Sequence, residues 1–167
     1  STAMGSGTIA SGSASTAIGQ STIASGYVST AMGFYTTASG SYSIAMGAFS
    51  TASGDGSTAM GGTTTAIGTN STAMGRSTIA SDYASLVIGQ YNSSGSSVTN
   101  NATSFSTSNT AFVIGNGTSG SLSDAFKVMF NGDATVSNDL TVSGDVVILS
   151  DARLKSNIVS LGSTLAK

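Results

Sequence analysis

The sequence predicts an all-β fold, a solenoid of short strands stacked coil upon coil, and three observations support this prediction. The pentapeptide Ser-Thr-Ala-Met-Gly recurs in one register of fourteen residues, at 1–5, 29–33, 57–61 and 71–75, with close variants at 15–19, 43–47 and 85–89. A half-copy starts seven residues later, as Thr-Ile-Ala-Ser-Gly or Thr-Thr-Ala-Ser-Gly, at 8–12, 22–26 and 36–40. A period of fourteen is too short for a helical hairpin, so each period is one coil with two strands and two turns.

The composition excludes several classes of function. Charged residues make up 7% of the 167, and Asp55 is the only one among the first 75. The chain therefore lacks the basic patch that nucleic acid requires and the polybasic segment that a membrane surface attracts. It also lacks an apolar run near the roughly 18–20 residues that span a bilayer. With no His or Cys and only isolated Asp carboxylates, we expect no cofactor, no metal site and no catalysis on an external substrate.

The first strand of each coil alternates between large and small side chains. When a coil is numbered 1 to 14 from its Ser, position 4 is always large and apolar: Met4, Ile18, Met32, Met46, Met60, Met74 and Ile88. Positions 2 and 4 of a strand point to one face, and positions 3 and 5 point to the other. We therefore predict that the Met/Ile column is the interior of the solenoid, with Thr from position 2 and Ile or Thr from position 9. This column also argues against disorder, because a disordered Ser/Gly-rich chain needs no register.

Alanine and glycine hold the remaining regular positions. Positions 3 and 10 are Ala in the first six coils, which places them close to another backbone, across the coil or across a neighbouring chain. Gly at positions 5 and 12 ends each strand, where the chain turns with positive φ or passes close to another segment. A core this slender cannot offset the entropy of ordering fourteen residues per coil, so we expect association through the Ala faces, most simply as a trimer.

The fourteen-residue pattern of Ser-x-Ala-Ile/Met-Gly resembles the head repeat of trimeric autotransporter adhesins. The resemblance covers residues 1–91 and returns once at 110–115 as Thr-Ala-Phe-Val-Ile-Gly. It implies a left-handed parallel β-roll assembled as a homotrimer, located outside the cell. Position 2 is Thr where that family usually has Val, so a wetter core is expected.

The pattern changes after the repeats. Residues 92–117 form an irregular transition with one returning repeat, and 92–109 is either a surface excursion or a change of architecture. Residues 118–150 predict an intertwined β stem, with short strands at 125–130, 135–136, 140–142 and 146–149 separated by turns.

The last segment carries a second resemblance. Ser150-Asp151-Ala152-Arg153-Leu154-Lys155 resembles the opening of the endosialidase-type intramolecular chaperone domain of phage tail spikes and fibres. In that family the chaperone trimerises the fibre and then cuts itself off. The resemblance implies that Ser150 is the nucleophile, Asp151 the residue after the cut and Lys155 the general base. Residues 151–167 are far shorter than that domain and would be its truncated start. They also predict a short helix capped by Ser150 and Asp151.

Aromatic residues in the variable turns are the candidate ligand contacts. They are Tyr27, Phe34, Tyr35, Tyr42 and Phe49. Exposed rings on a Ser/Thr/Gly surface stack on sugars or bury against a receptor. The alternative is that they ladder on one another or fill grooves between subunits.

Together these features predict a structural and adhesive segment of a homotrimeric fibre, matured by chaperone-assisted trimerisation and autocleavage at Ser150–Asp151. Its partners would be two further copies of itself and a glycan or protein receptor on a host or prey cell. The chaperone-like motif favours a phage tail fibre in the virion or a comparable bacterial surface fibre. The head of a trimeric autotransporter adhesin is the first alternative. An ice-binding solenoid, suggested by the Thr-rich flat strands, is the second.

Overall fold

A computed structural model of the chain describes residues 1–144, which form sixteen β-strands and no helix. The first strands of the seven coils are β1 (Thr2–Ser6), β3 (Thr16–Gln20), β5 (Thr30–Phe34), β7 (Ile44–Ala48), β9 (Thr58–Gly62), β11 (Thr72–Arg76) and β13 (Leu86–Gln90). The second strands are β2 (Ile9–Ala10), β4 (Ile23–Ala24), β6 (Thr37–Ala38), β8 (Thr51–Ala52), β10 (Thr65–Ala66) and β12 (Ile79–Ala80). Three strands follow the repeats: β14 (Thr110–Asn116), β15 (Asp124–Met129) and β16 (Ala134–Val136). No helix among the described residues is long and apolar enough to cross a membrane.

Two sheets run along the molecule. The first, sheet A, has the order β1-β3-β5-β7-β9-β11-β13-β14-β15-β16. The second, sheet B, has the order β2-β4-β6-β8-β10-β12. Neighbouring coil strands are parallel, and each residue lies opposite the residue fourteen positions later, as Met4 does opposite Ile18. The predicted all-β solenoid is confirmed.

The interior of the roll consists mainly of alanine, with Ser and Thr beside it and Val87 in the seventh coil. All ten alanines at positions 3 and 10 from Ala17 to Ala80 have no exposed surface. The prediction that the Met/Ile column is interior is wrong, since Met4 is 59% exposed and Ile18 37%. Alternation defines two faces of a strand but not which of them is enclosed. Two sheets joined by turns of a few residues leave room for a methyl group and not for Met. The predicted association through Ala faces is therefore wrong as well.

Glycine is required at positions 5 and 12 because successive coils approach closely there. A Cβ on Gly33 would lie 2.0 Å from the carbonyl oxygen of Gly47, and one on Gly26 would lie 2.0 Å from that of Gly40. Of these two glycine positions, only position 5 has positive φ, as in Gly33 at 122°. The positive-φ turn residues are instead at positions 7 and 14, which hold bulky side chains such as Tyr35.

In several coils serine at position 1 closes the second turn. The hydroxyl of Ser15 donates to the carbonyl of Gly12 at 2.7 Å, and Ser29 and Ser43 make the same bond three residues back. This local bond explains why a buried position keeps a polar residue.

Side chains end sheet B at β12 while sheet A continues. The amide of Asn92 bonds both backbone groups of Ile79, accepting from its N–H at 2.8 Å and donating to its carbonyl at 2.9 Å. The buried carboxylate of Asp82 accepts from the N–H groups of Thr99 and Thr110 at 2.6 and 2.8 Å. Residues 92–109 thus cover the end of sheet B. β14 then pairs with β13 in parallel, in the register of the repeats.

The chain after the roll is antiparallel, with β14 paired to β15 and β15 to β16. The predicted strand at 140–142 is wrong, because β16 ends the sheet and no described strand lies beyond it to pair with these residues. The predicted strand at 146–149, the helix of 151–167 and the residues Ser150, Asp151 and Lys155 lie outside the described residues.

Candidate functional site

The outer face of sheet A carries a continuous apolar column, here called the apolar stripe. It consists of the outward side chains of position 4 (Met4, Ile18, Met32, Met46, Met60, Met74, Ile88), and register continues it to Ile114. Ile44 and Leu86 beside it at position 2 are 37% and 38% exposed. Soluble monomers seldom expose apolar patches of this extent.

Sheet B is less apolar on its outside. Position 9 holds Ile9, 52% exposed, and Ile23, 36% exposed, and then Thr in the next three coils. Position 11 is mainly exposed Ser. The two outer faces of the roll are therefore unequal, and the apolar stripe is the stronger candidate for assembly.

Three of the predicted aromatic residues form a cluster on the first turn of the coils, here called the first-turn cluster. It consists of Phe34 at position 6, with Tyr35 and Phe49 at position 7 of successive coils. Tyr35 and Phe49 stack with ring centroids 5.5 Å apart and planes 11° apart. Phe34 packs edge-on against both, at 4.5 Å from Tyr35 and 5.2 Å from Phe49.

The other two predicted aromatic residues lie on the second turn, at the other edge of the roll. Tyr27 and Tyr42 meet edge to face with centroids 5.4 Å apart. The five residues thus form two clusters and not one patch. Within each cluster the rings contact one another in the same chain. Tyr42 nevertheless remains 60% exposed. Ligand binding by these residues remains a prediction.

Sequence reasoning did not single out Arg76, which extends the first-turn edge. Its guanidinium carbon lies 5.8 Å from the ring centroid of Tyr91, which occupies position 7 of the seventh coil. Two signals were present in the sequence. Arg76 is the only cation among residues 1–126, and position 6 places it on the same turn as Phe34.

The described residues offer a surface and not a cleft. No pocket is found in residues 1–144, and no group of three His, Cys, Asp or Glu is placed to bind a metal ion there. The three residues predicted for autocleavage lie beyond this part of the chain. The candidate sites are therefore the apolar stripe and the aromatic edges.

Comparison with known proteins matches the repeats. The family model described as the YadA head domain repeat (2 copies) matches residues 1–22, 10–36, 24–50, 38–64, 52–78 and 66–92. From 10–36 onward, successive matches start fourteen residues apart, and the whole set covers more than half of the chain. No curated protein matches the sequence.

Proposed function

This chain belongs to the family of YadA head repeats, and from that premise we propose that it is an adhesive head segment of a homotrimeric fibre. Heads of this family are homotrimeric adhesins that bind host surface molecules, on the bacterial cell surface. The proposal gives this chain the same assembly, as left-handed parallel β-rolls side by side, and a glycan or protein receptor on the cell it contacts.

The apolar stripe is the observation that carries this proposal. The enclosed core of a coil is limited to alanine methyl groups with Ser and Thr, while Met and Ile lie outside it. Burial of apolar surface contributes roughly 25 cal/mol per Å², and ordering each residue costs about 1–2 kcal/mol of backbone entropy. The largest apolar side chains can contribute fully only if another molecule covers them. A threefold arrangement brings three identical stripes together at one axis and closes the assembly.

Analytical ultracentrifugation tests the assembly. We expect wild-type protein to sediment as a trimer, and Met46→Glu to dissociate it because a carboxylate in an apolar interface is costly to desolvate. The matched control is Ser39→Glu, which adds the same charge at an exposed position of sheet B. A folded, monomeric wild-type chain in dilute solution would refute the trimer. Beads coated with the protein should adhere to host cells, and failure to adhere would refute the adhesive role.

A phage tail fibre is the second candidate, and the Ser150-Asp151-Ala152-Arg153-Leu154-Lys155 segment is the observation that favours it. In that case residues 118–150 from three chains wrap into a stem. A chaperone domain downstream of the stem trimerises the fibre, and the chaperone domain is then removed. Ser150 would act as the nucleophile and Lys155 would take the proton from its hydroxyl. The C–N bond between Ser150 and Asp151 would break, Asp151 would leave with a protonated amino group, and water would supply the oxygen of the new carboxylate.

The test is to express the chain with the residues encoded after Lys167 and to measure its mass. We expect cleavage between Ser150 and Asp151 that Ser150→Ala or Lys155→Ala abolishes and that Ser156→Ala leaves intact. An uncut wild-type precursor would exclude this maturation while leaving the adhesive head unaffected.

Ice binding has less support. Thr at position 2 faces outward, as an ice-binding array requires, but Ile44 and Leu86 interrupt it and the Met/Ile column runs beside it. The array is therefore neither regular nor uniformly Thr.

A further inference from the structure

We infer that the first-turn edge between Phe49 and Tyr91 is a binding site for an oligosaccharide that carries a carboxylate. This inference rests on the proposed adhesive function and assigns it a ligand class and a place.

The turns of this edge stack in strict order. The N–H of Thr63 donates to the carbonyl of Ala48 at 2.8 Å, and that of Ser77 to Gly62 at 2.8 Å. The N–H of Tyr91 donates to Arg76 at 3.1 Å. Position 7 therefore reads Phe49, Thr63, Ser77 and Tyr91 in successive coils. With about 4.8 Å per coil, the two aromatic residues are separated by about 14 Å along the axis.

At position 7 only small side chains lie between the two aromatic residues, and this stretch is here called the notch. Its floor is made by the small residues Thr63 and Ser77, and a Cβ on the neighbouring Gly62 would have no atom within 4 Å. The notch is open to solvent and offers two hydroxyl groups. Its length suits two or three linked sugar rings lying along the fibre.

Phe49 presents a fixed aromatic face to this notch. One face of its ring stacks on Tyr35, which lies one coil earlier, and Phe34 packs against it edge-on. The side chain remains 53% exposed beside Thr63, which occupies the same turn position in the next coil. The C–H face of a sugar packs on such a ring while its hydroxyl groups bond to polar neighbours.

The charge at the far end of the notch selects the ligand class. Arg76 is the only cation in residues 1–126, is exposed and is held over the ring of Tyr91. A guanidinium binds a carboxylate through two parallel hydrogen bonds. The carboxylate near this end is that of Asp124, because the N–H of the preceding residue, Ser123, donates to the carbonyl of Tyr91. It already accepts from the N–H groups of Ser93 and Ser94 at 2.8 Å.

The experiment measures binding of the full chain to immobilised oligosaccharides in matched pairs, such as sialyllactose with lactose and uronic acid disaccharides with their neutral parents. We expect at least one carboxylated member to bind about tenfold or more tightly than its neutral partner, since one charged hydrogen bond is worth roughly that factor. Arg76→Gln should abolish this preference. Phe49→Ser should weaken binding of both members of a pair.

The matched control is Phe105→Ser, which removes a ring that is 60% exposed from the segment 92–109 and should leave binding unchanged. If Phe49→Ser alters the circular dichroism or the sedimentation of the protein, Phe49→Leu keeps an apolar side chain without the aromatic face and replaces it in the comparison.

The inference is overturned if no carboxylated glycan is preferred, or if the preference survives Arg76→Gln. These results differ from a failure of the proposed function. If the Phe49→Ser and Arg76→Gln variants still adhere to host cells, the adhesive function stands and this site is wrong. If the wild-type protein neither trimerises nor adheres, the proposed function itself is wrong.

Discussion

Alanine substitutions at the adjacent residues Gly61 and Gly62 add the same methyl group but should have very different effects on stability. Gly61 has φ of 129°, and a Cβ there would lie 2.0 Å from the carbonyl oxygen of Gly75, about 1 Å closer than any real Cβ contact. Gly62 lacks positive φ, and a Cβ there would have no atom within 4 Å.

The expected destabilisation by Gly61→Ala follows from two costs. A residue forced into a backbone region reserved for glycine costs about 1–3 kcal/mol. Moving β11 away from β9 to relieve the contact breaks one or two backbone hydrogen bonds, at about 1 kcal/mol each. The free energy of unfolding should therefore fall by about 2–5 kcal/mol. Gly62→Ala should be neutral or stabilise by up to about 1 kcal/mol, because it restricts the unfolded chain.

Urea unfolding followed by far-ultraviolet circular dichroism measures both variants. Protein concentration is kept equal, because association makes apparent stability depend on concentration. A neutral surface substitution usually changes the free energy of unfolding by no more than about 0.5 kcal/mol. If the two variants agree within that amount, the coils do not approach closely at Gly61.

Three further predictions concern the cap of sheet B, the turns and the core. Asp82→Ala removes the acceptor of the Thr99 and Thr110 N–H groups and should cost about 2–4 kcal/mol, with faster hydrogen exchange at Thr110; unchanged exchange would contradict it. Val28→Asn should raise the melting temperature by relieving about 1 kcal/mol of strain at φ 52°, and a lower melting temperature would show that the turn is unstrained. Ala45→Val should lower the free energy of unfolding by about 1–3 kcal/mol through overpacking; a value equal to wild type in urea unfolding would show that the sheets leave spare room.

The period and the element types were predictable from the sequence because the same pattern recurs in seven coils. Each strand, turn and glycine keeps its place in the register, and β1 to β13 follow that register. A half-buried strand alternates in the same way whichever face is enclosed, so the pattern alone left the inside undetermined. The decisive signal was the strict limit to a single methyl at positions such as Ala31 and Ala38. The larger apolar area of the Met and Ile side chains favours the opposite assignment.

The end of sheet B could not be predicted, because it depends on contacts between residues far apart in sequence. Asn92 replaces the Thr or Ser of position 8, and only in the structure does its amide pair with Ile79 as a strand would. Asp82 likewise departs from Gly where no regular coil follows, so its side chain has space that a further coil would fill. The two aromatic edges were also indistinct in sequence, since Tyr35 and Tyr42 are seven residues apart but lie on opposite turns.

The identical register of every parallel pair has a consequence for the evolution of the molecule. Removal of one whole coil, such as 43–56, would place Gly33 opposite Gly61 and Ala31 opposite Ala59, in the same geometry that each has now. Recombination between such similar repeats can therefore lengthen or shorten the roll in steps of about 4.8 Å without a compensating mutation. The same events would move the aromatic turns along the roll, so its length and the position of these rings can change in a single generation.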